Sequence, residues 1–416
     1  MSHAQVSENA LRVINRLHNA GYEAYLVGGC VRDLLLGRVP KDFDVATNAY
    51  PEQVEQLFRN CRLIGRRFRL AHVRFGREIV EVATFRGNHS EAGIGEDGRI
   101  MRDNVYGGTL EEDAWRRDFT VNALYYNVYD STVIDHTGGL DDLQAGILRL
   151  MGDPAQRYRE DPVRMLRAVR FAAKLGFRIH PESEAPLAEL GVLLENVPPA
   201  RLFEEILKLF MGGYAVQTYH LLRHYGLFKY LFPQTEVALE HERGTPSLLL
   251  QALANTDARI AEDKPVTPAF LFAALLWEPL RLLAEDLRAQ EREMGEIQAL
   301  QVAGEMVVAR QVKRIALPKR FSVPMREIWA MQPRLRQRSG KRPLRLLEHP
   351  RFRAAYDFLL LRAAAGEQDL QELCDWWTAL QGAEGGERQT MTSRMPPETK
   401  TRRRRRRKPA PVKREE

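Results

Sequence analysis

In "SENALRVINRLHNA" (7–20) apolar residues recur every third or fourth position, which predicts a helix with Ser7 as N-cap and Gly21 just past its end. The period then shortens. "YEAYLVG" (22–28) alternates like a half-buried strand, "VRDLLLG" (31–37) reads as a short helix closed by Gly37, and "KDFDVAT" (41–47) as a second strand. "PEQVEQLFRN" (51–60) predicts a helix. "AHVRF" and "EIVEVATF" predict a strand pair, and "VNALYYNVYD" with "STVIDHT" two further strands. Strands interleaved with short helices point to a small α/β sheet domain.

Beyond about residue 150 the strand signals stop. "DPVRMLRAVRFAAKLG", "PARLFEEILKLFMG", "YAVQTYHLLRHYG", "TPAFLFAALLWEPLRLLAEDL", "HPRFRAAYDFLLLRAAAG" and "QDLQELCDWWTALQG" all carry helical spacing. After Gln381 no period remains, so residues 381–416 are expected to be a disordered tail. With 416 residues the chain can bury two or three cores. It holds no run of 18 apolar residues and no leader pattern in residues 1–25, so a soluble, cytoplasmic protein with no membrane span is expected. Cys30, Cys61 and Cys374 are odd in number and far apart, which fits a reducing compartment.

Charge changes the picture only at one end. Of the net +7, residues 400–416 hold ten basic and two acidic residues, a local +8, which leaves −1 for the other 399 residues. Any grip of the body on a polyanion must therefore come from local patches.

The candidate chemistry starts at "KDFDV" (41–45). On a strand, Asp42 and Asp44 share a face while Phe43 and Val45 point to the core. Two carboxylates so close repel unless a cation lies between them, and a pair of Mg²⁺ ions roughly 3.5–4 Å apart is the usual resident in phosphoryl transfer. A lone D-x-D also fits a solvent-facing edge strand. An EF-hand is excluded, because Ala46 and Thr47 stand where the loop needs an oxygen ligand and Gly.

Context favours the metal reading. Upstream, Gly28 and Gly29 sit between a strand and a helix, where bare backbone N–H groups approach an anion closely, with Arg32 in the first turn. Downstream, "RRDFTVNAL" (116–124) sets Arg117, Asp118 and Asn122 in an otherwise apolar stretch behind the acidic cluster Glu111, Glu112 and Asp113. "EDPVRMLRAVRFAAKLGF" (160–177) aligns Arg164, Arg167 and Arg170 as a cationic stripe, with Asp161 one turn before it and an apolar opposite side.

In this order, "LVGGCVRDLLLGRVPKDFDVAT", "RRDFTVNAL", "DHTGGLDDL" and "EDPVRMLRAVRFAAKLGF" resemble the class II nucleotidyltransferases, which comprise CCA-adding enzymes and bacterial poly(A) polymerases. The resemblance covers the first 180 residues. It implies an α+β architecture: a small polymerase-β-like head (1–150), a helical neck that selects the nucleotide (151–215), and a helical body and leg that bind RNA (216–380). By position, Asp42 and Asp44 would hold two Mg²⁺ ions. Gly28, Gly29, Arg32, Arg117, Asp118 and Asn122 would form the nucleotide site, and Arg164 and Arg167 would contact the nucleotide. Glu111 is favoured as a third carboxylate, with Glu81 the alternative.

Asp161 beside Arg164 offers an acceptor and a donor to a base edge. Adenine and cytosine present the complement; guanine and uracil reverse it. That pair alone leaves ATP and CTP unseparated. The basic stretch "RLIGRRFRLAHVRFG" (62–76) with Arg66 and Arg67, the segment 340–363 and the arginine tail resemble the poly(A)-adding branch. Template-independent addition of AMP from ATP to single-stranded RNA 3′ ends is the expected function. CCA addition to tRNA and a non-catalytic RNA-binding role are the alternatives. Arg402, Arg403, Arg404, Arg405, Arg406, Arg407 and Lys408 suit a sequence-blind RNA grip. No motif marks protein partners from RNA processing or decay.

Three other motifs carry less. "GIGEDG" (93–98) lacks the strand–turn–helix setting of a dinucleotide loop. His220 and His224 have metal-pair spacing without a third ligand, and Trp376 and Trp377 fall on an apolar helical register, where packing is expected.

Overall fold

A computed structural model describes residues 5–65, 69–88, 93–94, 100–101, 104–241, 243–291 and 293–394. They gather into two compact units. The first comprises Met1–Val237, Leu253–Val266 and Arg310–Leu317; the second comprises Ala238–Ala252, Thr267–Ala309 and Pro318–Glu416.

The first unit opens with α1 (Glu8–Asn19), whose Ser7 side chain accepts from the Ala10 amide as an N-cap should. Then come β1 (Ala24–Val27), α2 (Gly29–Leu35), β2 (Asp44–Thr47), α3 (Pro51–Leu57), β3 (Cys61–Ile64), β4 (Leu70–Phe75) and β5 (Glu78–Thr84). After α4 (Leu110–Trp115), β6 (Leu124–Asn127) and β7 (Thr132–Asp135) complete a seven-stranded sheet in the order β7-β6-β1-β2-β5-β4-β3. Neighbours run antiparallel except β2 and β5, which are parallel. That single parallel pair sets Asp44 opposite Glu81, and β4 sets His72 opposite Glu81 in turn. Val45 and Ala46, next along β2, are fully buried and anchor the strand.

Local sequence left two details unread. The second strand begins only at Asp44, so Asp42 stands exposed ahead of it and Phe43 is half-buried rather than in the core. β3 lay hidden in the basic stretch because edge strands tolerate exposed charge.

α5 (Gly139–Ala145) follows β7, and its start explains "DHTGGLDDL". Asp135 accepts from the amides of Thr137, Gly139 and Leu140. A Cβ on Gly139 would lie 2.3 Å from the Thr120 carbonyl oxygen, and buried Asp142 accepts from the Thr120 hydroxyl at 2.7 Å. The motif thus clamps the loop that carries Arg117, Asp118 and Asn122. α6 (Pro154–Glu160), α7 (Val163–Leu175), α8 (Pro199–Phe210) and α9 (Ala215–His224) continue the unit. Strand pairing outlasts residue 150 by one short piece, since Arg178–Ile179 pairs in parallel with Ile147–Leu148.

The second unit is helical where described. "TPAFLFAALLWEPLRLLAEDL" forms two helices, α10 (Pro268–Leu275) and α11 (Trp277–Gln290). Pro279 explains the break: it has no N–H to give the Leu275 carbonyl four residues back and its ring crowds that group. α12 (Lys319–Leu335), α13 (Phe352–Ala364) and α14 (Gln371–Gly382) build a core in which Trp377 is fully buried and donates its indole N–H to the Leu335 carbonyl at 2.8 Å. The tryptophan pair packs, as its register predicted. Disorder was expected from residue 381, but α15 (Gly385–Arg394) follows. Met391 packs on that core and the Thr392 carbonyl accepts from the Gly340 amide, tertiary contacts that no local period announces. Among the described residues no helix is long and apolar enough to cross a membrane.

Candidate active site

The turn between β1 and α2 is built on Gly28, at φ 76°, a region that L side chains rarely adopt. Its amide donates to the Leu124 carbonyl at 3.0 Å. A Cβ there would meet Arg117 Nη1 at 3.4 Å, so the turn and that guanidinium are in near contact. Arg32, one turn into α2, is 2 % exposed. Its Nε donates to Asp33 Oδ1 at 2.8 Å and its Nη1 to Asn122 Oδ1, while its guanidinium lies 5.3 Å from the centre of the Phe171 ring. Lys174 Nζ completes the set, 3.5 Å from Asp33.

Asp44 lies beside Glu81. Burial first, then the Glu81 charge, raise its pKa to about 6; Arg117 pulls the other way, and Asp42 raises it further. Asp44, raised by burial and by the charges of Glu81 and Asp42, is a hard oxygen donor of the kind that divalent Mg²⁺ relieves. Among the described residues no three acidic, His or Cys side chains already converge as a finished ligand set, so a cation would have to draw exposed Asp42 inward. Glu111 stands exposed in the first turn of α4, whereas Glu81 neighbours Asp44 directly and has His72 Nε2 at 3.4 Å. The structure therefore brings Glu81, the less favoured of the two sequence candidates, to the doublet.

The residue of the acidic cluster that reaches the site is its third member. Asp113 is buried and pairs with Arg117 at 3.1 Å. Tyr125 donates its hydroxyl to Asp113 at 2.7 Å and accepts from Arg117 Nε at 2.9 Å. Burial opposes the Arg117 charge, but Tyr125 and Asp113 outweigh it and hold the guanidinium firmly protonated. Asp113 and Arg117 are four apart across the end of α4, a spacing visible in the sequence; Tyr125 comes from β6 and is not.

Asp118 joins the two halves of the site. It accepts from Arg167 Nε at 2.8 Å and from Nη2, from Asn122 Nδ2 at 3.2 Å, and from the Phe119 amide. Burial pushes its pKa up, but Arg167 and these hydrogen bonds more than compensate and leave it below the ordinary range. One chain of contacts thus runs from Arg167 on α7 through Asp118 and Asn122 to Arg32 on α2.

Beside it opens a cavity of about 310 Å³ lined by Arg117, Asp118, Asp161, Arg164 and Arg167, with Val163, Arg201 and Glu205. Sequence reasoning had found the first five. Asp161 and Arg164 both line the cavity, and among the described residues each is paired elsewhere rather than with the other: Asp161 Oδ2 accepts from Arg201 at 2.7 Å, and Arg164 donates to Glu160 Oε2 at 3.0 Å and to the Arg157 carbonyl at 2.7 Å. Two acidic groups compete for Arg164, and the more buried Glu160 (7 % side-chain exposure, against 25 % for Asp161) holds it. Arg201 and Glu205 come from α8, which no local motif tied to the aspartates. Glu205 is buried and pairs with Lys208 at 2.9 Å. Arg66, Arg67 and the run Arg402–Lys408 lie outside the described residues.

Comparison with known proteins agrees along the chain. Residues 24–149 match the family "Poly A polymerase head domain", 176–239 the "Probable RNA and SrmB-binding site of polymerase A", and 292–410 the "Polymerase A arginine-rich C-terminus". The chain is 52 % identical to Poly(A) polymerase I of Escherichia coli O6:H1 over 412 residues, 97 % of this chain and 88 % of that protein. It is 50 % identical to Poly(A) polymerase I of Haemophilus influenzae over 394 residues, 92 % of this chain and 87 % of that one. Among solved structures, the Bacillus stearothermophilus CCA-adding enzyme in complex with CTP superimposes with a TM-score of 0.60 at 27 % identity, covering 91 % of this chain and 82 % of that one.

Proposed function

The chain belongs to the poly(A) polymerase family, and on that premise we propose that it adds AMP from ATP to RNA 3′ ends without a template, the 3′-hydroxyl displacing pyrophosphate from the α-phosphate. The observation that carries the reading is the position of Asp44, opposite Glu81 and within the field of Arg117.

Each residue then has a task. The Gly28–Gly29 turn and Arg117 take the triphosphate, the turn through close backbone approach and Arg117 through a charge that Asp113 and Tyr125 keep aimed. Arg32, held by Asp33 and Asn122 with its Nη2 3.7 Å from where a Cβ on Gly29 would lie, adds a fixed positive charge behind the turn for the triphosphate. Asp118, Arg167 and the cavity walls receive the nucleoside. Bound at Asp42 and Asp44 with Glu81 beside them, Mg²⁺ ions would supply activation of the 3′-hydroxyl and neutralisation of the leaving pyrophosphate. The protein contributes position and charge, and no covalent intermediate is needed. The RNA is held by basic groups that read no sequence, the tail among them.

The test is extension of an unstructured oligoribonucleotide with each nucleoside triphosphate in turn. A long ladder with ATP alone is expected, and Asp42→Ala or Asp44→Ala should abolish it while leaving RNA binding nearly intact. Retained extension in either variant removes this site. Short C-then-A products on tRNA would instead favour CCA addition.

A further inference from the structure

One face of the sheet carries a polar row that starts at the aspartate doublet and ends at the sheet edge. Strand register sets Asp44 on β2 opposite Glu81 on β5, Glu81 opposite His72 on β4, and His72 opposite Arg62 on β3. Directly opposed residues point to the same side of a sheet, so the four side chains stand in line. Arg74, two residues along β4 from His72, shares that side. The reverse side is closed: Ala71, Val73, Val80 and Val82 are buried there, with α1 packed on β5 and α3 on β3, β4 and β5. The row itself is open. The Glu81 and His72 side chains are 46 % and 24 % exposed. Arg62 and Arg74 are exposed, and neither guanidinium donates to a protein acceptor among the described residues.

We propose that this open face of β3, β4 and β5 is the track along which the RNA primer reaches the active site, with Arg62 and Arg74 contacting phosphates upstream of the 3′ end. This rests on the reading of Asp44 as the centre of AMP transfer. Charge fixes the direction. The carboxylates at one end repel a phosphate chain, so the terminal hydroxyl lies there and the phosphates behind it lie over the arginines. Asp44 and Arg62 are three strand spacings apart in the order β2-β5-β4-β3, roughly 14 Å at about 4.8 Å each, so Arg62 serves a linkage upstream of the reacting nucleotide. Between them His72 offers a ring on which a base can stack. Arginines that touch only phosphate read no sequence, which suits an enzyme that extends varied ends.

The test is steady-state extension of an oligoribonucleotide by the full chain with ATP and Mg²⁺, repeated on primers that carry one neutral methylphosphonate linkage at successive positions from the 3′ end. Arg62→Ala and Arg74→Ala should each raise the primer KM roughly fivefold, with kcat and the ATP KM changed less than about twofold. For the intact protein a methylphosphonate at the linkage each arginine meets should cost a similar factor, and the matching alanine variant should be indifferent to it. Arg62→Lys should keep most of the affinity, because a phosphate contact can be made by a point charge. Arg12→Ala, on α1 behind the sheet, should match the intact protein. An unchanged primer KM in either alanine variant, an equal penalty in Arg12→Ala, or a methylphosphonate effect that persists in the alanine variants overturns the track. Failure of the intact protein to extend any primer would instead remove the AMP-transfer reading, and this inference with it.

Discussion

Asp118 and Arg167, 49 positions apart in the chain, form an ion pair in which one carboxylate oxygen takes both Nε and Nη2 of the guanidinium. The pair joins the strand-bearing part of the first unit to helix α7, and it sits on the cavity wall. Arg167 is also held over the Phe171 ring, 5.5 Å from its centre, as are Arg32 at 5.3 Å and Arg170 at 4.6 Å. Three guanidiniums around one ring repel each other, and Asp118 and Asp33 are the counter-charges that make the cluster tolerable.

Removing one member of the pair should cost more than removing both. Arg167→Ala leaves a buried carboxylate with only Asn122 and a backbone amide for company, and should destabilise the protein by about 2 kcal/mol, less than a fully buried pair because Arg167 is one-third exposed. Asp118→Asn added to Arg167→Ala should recover much of that loss in urea unfolding while AMP incorporation stays impaired. Equal stability of the single and double variants would mean the pair is not coupled.

Asp44 makes stability depend on pH in a defined direction. Its folded pKa, about 6, is raised above the ordinary carboxylate value, so the folded state favours the protonated acid. That contribution is fully present below the unfolded pKa near 4 and is lost as pH rises through 6. In chelator, Asp44→Asn should therefore leave stability unchanged at pH 4 and raise it by on the order of 2 kcal/mol above pH 7. Mg²⁺ should narrow the gap by stabilising only the wild-type carboxylate. Thermal melting across that range checks it, and a variant less stable than wild type at neutral pH without metal contradicts it.

Glu81 and Glu111 separate cleanly by substitution. Glu81→Gln, next to Asp44, should lower AMP incorporation by on the order of 10²-fold or more. Glu111→Gln, exposed on α4, should change it less than about twofold. Steady-state primer extension reads both; the reverse ranking would restore Glu111.

The arginine run should act on RNA affinity rather than chemistry. Deleting residues 395–416, which spares α15, removes the six arginines and Lys408. RNA binding should weaken, and the slope of log affinity against log salt should flatten by several units, about 0.7 per lost phosphate contact on single strands. Single-turnover extension at saturating RNA should hold. An unchanged salt slope would discharge the tail from RNA binding.

The sequence by itself determined the elements and the chemistry that local spacing controls: the alternation of β1, β5 and β6, the Gly28–Gly29 turn, the aspartate doublet, and a helix bearing Arg164 and Arg167 over an apolar back. These depend on neighbours a few residues away, so the period carries them. Tertiary structure alone decided which charged groups meet. Glu81 reaches Asp44 through strand order, Tyr125 reaches Arg117 from β6, and Arg201 takes Asp161 while Glu160 keeps Arg164. Such pairings depend on where burial makes a lone charge intolerable, a property of the packed molecule that no spacing along the chain encodes.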